Sequence, residues 1–163
     1  MQRPLRVLVL DDNPDDAALI YRSLRRSGYE PVGSTMDTEE AFLRELNGEI
    51  DLIISDYAMP QFGGLRALEL LRQSGLDVPL IIVSGTIGED TAVEAMRLGA
   101  SDYLLKDRLV RLGAAAERAI AERRLRREMR AAEEQLAAER MKAMRCSRSP
   151  TVASMRYWRT SSW

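Results

Sequence analysis

Short, continuous apolar runs recur along the first hundred or so residues. Residues 6–10 (Arg-Val-Leu-Val-Leu), 51–55 (Asp-Leu-Ile-Ile-Ser) and 79–84 (Pro-Leu-Ile-Ile-Val-Ser) are rich in Leu, Ile and Val and do not alternate with polar residues. Runs of this kind read as parallel strands buried on both faces. Two weaker strands fit at about 30–35 and 101–105. Between them the pattern turns helical. Asn13 can cap a helix that starts at Pro14, carries Ala17, Leu19, Ile20 and Leu24 on one stripe, and stops at Gly28. Thr38 with Glu40 to Leu46, Leu65 to Leu71, and Asp90 to Leu98 before Gly99 give three more helices. Strand and helix alternate five times, which predicts a parallel sheet with helices on both faces.

The fifth helix departs from this rhythm. From about Leu109 to Met144 there is no proline and much Ala, Arg, Glu and Leu, all strong helix formers. Leu125, Met129, Ala132 and Leu136 repeat at 4-3-4 spacing, as in a parallel coiled-coil seam, and Glu139 interrupts the next position. A solvated helical linker is the plainer alternative. After Met144 the periodicity ends. The expected organisation is a globular domain over 1–122, a helical extension over 123–144 and an irregular tail over 145–163.

Charge refines this only locally. The chain has 24 basic and 25 acidic residues; residues 145–163 hold four arginines and no acid, leaving −5 on the remainder for a total of −1. The folded part has no broad basic footprint, so nucleic acid is not an expected partner. No run approaches the ~18 apolar residues of a membrane span, and the N-terminus has no signal-like apolar region. A cytoplasmic location is the expectation, and the single Cys146 agrees with it. Histidine is absent, which removes imidazole chemistry from the chain itself.

Asp11, Asp12, Asp56, Ser84 and Lys106 each lie at or directly after the end of an expected strand. Ligands of open parallel sheets bind beyond the carboxyl ends of the strands, so the fold would gather all five at one edge. Three carboxylates packed together repel one another unless a cation lies among them. Mg²⁺ suits oxygen ligands, and Lys106 adds a second positive charge. Ser84 can hydrogen-bond a phosphate oxygen. The set suits phosphoryl transfer, where positioning and charge stabilisation dominate.

Val-Leu-Val-Leu-Asp-Asp-Asn-Pro, Asp-Leu-Ile-Ile-Ser-Asp-Tyr-Ala-Met-Pro, Val-Ser-Gly and Gly-Ala-Ser-Asp-Tyr-Leu-Leu-Lys together resemble the receiver domains of bacterial two-component response regulators, over roughly residues 4–122. The resemblance implies a flavodoxin-like sheet of order 2-1-3-4-5 and Asp56 as phosphoacceptor. It implies Mg²⁺ held by Asp12, Asp56 and the Ala58 carbonyl, with Asp11 acting mostly through water. Ser84 and Tyr103 become a switch pair, and the fourth helix, fifth strand and fifth helix an output face. The implied partner is a histidine kinase or phosphotransfer protein, with a homodimer expected through the long helix. The chain would accept and lose the phosphoryl group itself and not act as an enzyme on a separate substrate.

Three departures from the family pattern carry expectations. Asp107 follows Lys106 where the family usually has proline; a cis bond to a non-proline residue costs about 2.5–4 kcal/mol, so this bond should be trans and the following loop reshaped. Gly63-Gly64 replaces the more usual Asp-Gly, which suggests a looser loop. Ala58 and Gly85 are small, which suggests ready access of water to an acyl phosphate and a short-lived signal.

Two other functions compete. A Mg²⁺-dependent aspartyl-phosphate phosphatase usually needs an acid two residues past its nucleophile, where this chain has Ala58. A non-phosphorylated scaffold would tolerate loss of an acidic-site residue, and none is lost. Residues 123–163 show no helix-turn-helix pattern. Glu-Arg-Met-Lys-Ala-Met (139–144) is similar to the segment before the histidine box of sensor kinases. A receiver fragment of a hybrid sensor kinase therefore stands beside a stand-alone regulator.

Overall fold

The computed structural model describes residues 1–86 and 88–147. Five strands, β1 (Arg3–Leu10), β2 (Tyr29–Met36), β3 (Leu52–Asp56), β4 (Leu80–Ser84) and β5 (Asp102–Leu105), form one parallel sheet of order β2-β1-β3-β4-β5. The helices are α1 (Pro14–Arg26), α2 (Glu39–Glu45), α3 (Gly64–Ser74), α4 (Glu89–Leu98) and α5 (Leu112–Ser147). This is the expected flavodoxin-like fold, with a long C-terminal helix.

Both faces of the sheet are apolar, and the period of two along each strand divides them. In β3, Ile53 faces a core that includes Phe42, Phe62 and Leu68. Leu52 and Ile54 face another with Ile20, Leu24, Leu112 and Ala116. The first core lies under α2, α3 and α4, the second under α1 and the start of α5. Asn13 caps α1 as expected, its side chain accepting from the Asp15 amide at 2.9 Å, with Pro14 in the first turn. Gly28 and Gly99 follow α1 and α4 with φ of 88° and 106°, values that favour glycine.

The connection after β5 differs from the expected helix starting near Leu109. Lys106–Arg111 is a 3-10 turn, broken at Arg108 (φ −120°, ψ 32°), and α5 starts at Leu112. No peptide bond among the described residues is cis, so Lys106–Asp107 is trans as expected. Ser23 on α1 donates its hydroxyl to the Leu109 carbonyl at 2.6 Å and holds this turn.

The chain divides into two compact units, Met1–Arg124 and Leu125–Trp163, with the boundary inside α5. At the end of the first unit the buried Arg123 donates to the carbonyls of Ile50 (2.6 Å) and Gly48 (3.0 Å), tying α5 to the loop that enters β3. In the second unit α5 continues to Ser147, three residues beyond the expected end at Met144. Arg-Cys-Ser contains no helix breaker, and Arg145 in the last turn suits the negative end of the helix dipole. The rest of the expected irregular tail, 148–163, lies outside the described residues. Among the described residues no helix is long and apolar enough to cross a membrane.

Candidate functional site

β1 ends at Leu10 and delivers Asp11 and Asp12 to the sheet's carboxyl edge. The Asp11 amide continues the ladder by donating to the Met36 carbonyl at 3.0 Å, which fixes its backbone. One carboxylate oxygen, Oδ1, accepts from the Asn13 amide at 2.9 Å. The other, Oδ2, is buried and accepts no hydrogen bond; it has only an ion pair with Lys106 Nζ at 3.3 Å. Burial pushes the Asp11 carboxyl above its ordinary range. The charge of Asp56 adds to the rise, while the Asn13 amide and Lys106 oppose it.

Asp56 closes β3 and is buried. Both its oxygens are anchored: Oδ1 accepts from the Ala58 amide at 3.3 Å and Oδ2 from Lys106 Nζ at 2.9 Å. The first contact folds the chain back over the carboxylate and keeps the Ala58 backbone beside it. Oxygens of Asp11, Asp12 and Asp56 lie within 4.8 Å of one another, with Asp12 exposed and the other two buried. Such a grouping can hold a metal ion. The orphaned Asp11 Oδ2 and the raised Asp11 carboxyl are what a small, hard cation would relieve, so the residues fit Mg²⁺.

Lys106 begins the 3-10 turn after β5 and reaches into the cluster. Burial works against its charged form, but hydrogen bonds to Asp16 and Asp56 and the charges of Asp11 and Asp56 outweigh this and hold the ammonium above the usual lysine range. Asp16 is the site residue that sequence reasoning missed: its Oδ2 lies 2.6 Å from Lys106 Nζ. The signal was present as a second acidic pair, Asp15-Asp16, in the first turn of α1, where it reads as ordinary helix-end acid.

Ser84 ends β4 next to β3, at the expected edge. Its hydroxyl donates to the Thr86 carbonyl at 3.1 Å and accepts from the Thr86 amide at 3.3 Å, so it is engaged by its own loop and not by Asp56. Tyr103 is half-buried in β5 and packs its ring against Tyr57. The Gly63-Gly64 loop is close-packed, contrary to the looser loop expected. A Cβ on Gly63 would lie 2.7 Å from the Tyr57 carbonyl oxygen, and one on Gly64 3.2 Å from that of Asp56. Glycine is there because the backbone passes directly under the acidic loop.

The arrangement presents a buried carboxylate held at both oxygens, a neighbouring ammonium and an acidic cluster that fits a divalent cation. Three carboxylates (Asp11, Asp16, Asp56) pair with one lysine, Asp12 lies beside Asp11 and Asp56, and the surplus negative charge favours a divalent ion.

Comparison with known proteins agrees. A family model described as the response regulator receiver domain matches residues 7–117. The transcriptional regulatory protein PrrA of Mycobacterium bovis is 38% identical over 101 residues, covering 62% of this chain and 43% of PrrA. The alkaline phosphatase synthesis transcriptional regulatory protein PhoP of Bacillus subtilis is 33% identical over 101 residues, covering 62% of this chain and 42% of PhoP. The chain thus matches less than half the length of these relatives. Among solved structures, a receiver domain protein from Clostridium thermocellum superposes with a TM-score of 0.63 at 28% identity, covering 74% of this chain and 98% of that one. The receiver domain of NarL from Mycobacterium tuberculosis gives 0.59 at 27% identity, covering 69% and 97%. With a family model matched across most of its length and the corresponding fold in place, the chain belongs to the response regulator receiver family.

Proposed function

We propose that this receiver accepts a phosphoryl group on Asp56 from a partner histidine kinase or phosphotransfer protein and acts as a signalling switch. The observation that carries the reading is Lys106 Nζ at 2.9 Å from Asp56 Oδ2, beside three carboxylates whose oxygens lie within 4.8 Å of one another. An Asp56 oxygen attacks phosphorus; the new O–P bond forms as the donor's N–P or O–P bond breaks, and that bond's electron pair leaves with the donor. Lys106 stabilises the charge on the transferring oxygens. Mg²⁺ held by Asp11, Asp12, Asp56 and the Ala58 carbonyl would neutralise further charge on those oxygens. Loss of the group reverses the polarity: water attacks phosphorus and the Asp56 carboxylate leaves. On this reading the chain is no enzyme toward a separate substrate, and it works in the cytoplasm.

Ser84 turns from Thr86 to the phosphoryl oxygen, and Tyr103 follows inward. The output surface is α4, β5 and α5, supported by Val93 and Met96, which α4 leaves 60% and 48% exposed. A homodimer through the Leu125, Met129 and Leu136 stripe of α5 is a further part of the reading, supported by the exposure of all three. The test is intact-mass spectrometry after incubation with a small acyl-phosphate donor, with and without Mg²⁺, beside Asp56→Asn. A Mg²⁺-dependent gain of one phosphoryl group, absent in the variant, is expected. No gain in folded wild-type protein would favour a scaffold instead.

A further inference from the structure

Asp16 is not one of the three carboxylates grouped for a metal, yet it makes the shortest of the three ion pairs to Lys106 (2.6 Å, against 2.9 Å for Asp56 and 3.3 Å for Asp11). A lysine ammonium is a point charge on a flexible four-carbon stem, and its position is set by whatever holds its three donors. Here three carboxylates pair with it: Asp16 and Asp56 through hydrogen bonds, Asp11 through charge alone. Two of the three change during phosphoryl transfer. Asp56 becomes the mixed anhydride and loses its carboxylate charge, and Asp11 belongs to the metal cluster. Asp16 takes part in neither event. Its backbone is fixed by the Asn13 cap and by Ala17 and Ile20, which are buried one and four residues further along α1. Its side chain is 28% exposed and that of Lys106 20%, so the pair is shielded from solvent, unlike a surface ion pair of little worth.

We propose that Asp16 is a positioning residue for phosphoryl transfer at Asp56: it anchors Lys106 from the α1 side through one donor, leaving the other two aimed at the carboxylate and the incoming phosphoryl oxygens. This rests on Asp56 being the phosphoacceptor. The arrangement explains why a fourth negative charge is present in a site that must receive an anionic donor. Direct contact with Lys106 offsets part of that charge.

The experiment uses the full chain with Mg²⁺ and a small acyl-phosphate donor, following the phosphorylated mass with time across donor concentrations. Asp16→Ala lowers the maximal rate about tenfold with the donor KM within about twofold of wild type, the signature of a lost orienting contact. Asp16→Asn, whose amide oxygen still accepts from the ammonium, stays within about threefold of the wild-type rate. A second readout needs no phosphorylation. Lys106 and Lys142 are the two lysines of the chain, so Nζ-labelled lysine gives two ammonium signals, with Lys142 as internal reference. The Lys106 signal is protected from exchange with water in wild type and Asp16→Asn, and broadened in Asp16→Ala. Wild-type rate or unchanged protection in Asp16→Ala overturns the proposal. So does Asp16→Asn running faster than wild type, which would make Asp16 a competitor for Lys106. If wild type itself gains no phosphoryl group, the phosphoacceptor reading fails instead, and the lysine signals still report whether Asp16 holds Lys106.

Discussion

The rings of Tyr57 and Tyr103 meet edge to face, with 6.5 Å between centroids and 65° between planes. Tyr57 directly follows Asp56, and Tyr103 pairs in register with Ile82, one residue short of the Val83 that pairs with Asp56. Both rings lean on the core beneath α3 and α4. An inward turn of Tyr103 would therefore change its contact with the residue next to Asp56. A double-mutant cycle with Tyr57→Leu and Tyr103→Leu should give a coupling of about 0.5–1.5 kcal/mol in urea unfolding. Repeating it with a phosphoryl mimic bound should change that value. Identical coupling in both states would show that the Tyr103 ring does not respond to the site.

Asp11 should link stability to metal. Its Oδ2 is buried with only an ion pair for company, and burial raises its carboxyl. In metal-free buffer Asp11→Asn should raise the thermal midpoint, because it removes a buried charge repelled by Asp56. Mg²⁺ should stabilise wild type, by about 2.7 kcal/mol at a hundred times its dissociation constant, and stabilise Asp11→Asn less. Differential scanning calorimetry with and without Mg²⁺ reads both effects; a wild-type midpoint indifferent to Mg²⁺ would count against the metal site.

The sheet and most of the site were legible in sequence for one reason. Buried parallel strands are continuous apolar runs, and each functional residue lies at or directly after such a run, so finding Val-Leu-Val-Leu or Leu-Ile-Ile-Ser also places Asp11 or Asp56. Lys106 was placed the same way. Asp16 was not, because its role depends on where the Lys106 side chain goes across 90 residues of chain. Arg123 was hidden for a similar reason: within an Arg-rich helix it looks solvated, and only the packed fold brings it to the Ile50 carbonyl. The Gly63-Gly64 pair was misjudged because glycine serves both flexibility and close approach, and the sequence does not distinguish them. The 3-10 turn at Lys106–Arg111 escaped because its residues favour helix of either kind.

Ala58 and Gly85 are exposed beside the site. With no bulk over Asp56 at these positions, water should reach phosphorus readily. The aspartyl phosphate should decay quickly, and Ala58→Met should lengthen its half-life severalfold by shielding the attacking side. Decay followed by intact mass after donor removal reads this, and a wild-type half-life of many hours would contradict it.

Tyr29 sets an alkaline limit. Its side chain is buried with the Arg3 guanidinium 4.9 Å from the ring centroid. Burial raises the phenol, Glu117 adds to the rise, and Arg3 opposes it, leaving the group above its ordinary value of 10.0. The folded state therefore holds this proton more tightly than the unfolded chain. The associated stability is fully present below the unfolded value and is lost as pH rises through the folded one. Wild type should lose more stability than Tyr29→Phe as pH rises above about 10, with urea midpoints as the measure. Parallel curves for the two proteins would show that the phenol does not contribute.

The stripe along the second part of α5 is the feature that a test of oligomeric state should target. Leu125, Met129 and Leu136 are 58%, 56% and 51% exposed, and with Ala132 they follow 4-3-4 spacing. Leaving several large apolar side chains in water on one line of a helix is unfavourable by roughly 25 cal/mol per Å², and a second copy of the same helix presents a matching line. The seam is short and broken at Glu139, so the dimer should be reversible, with a mass that rises with concentration in sedimentation equilibrium. Leu136→Glu should give a monomer, and since residue 136 lies outside the Met1–Arg124 unit, phosphoryl uptake should be unaffected. Glu139→Leu should tighten association by continuing the stripe. A wild-type mass that stays monomeric at every concentration would leave α5 as a solvated linker, and the α4–β5–α5 face would then be the surface through which the switch acts.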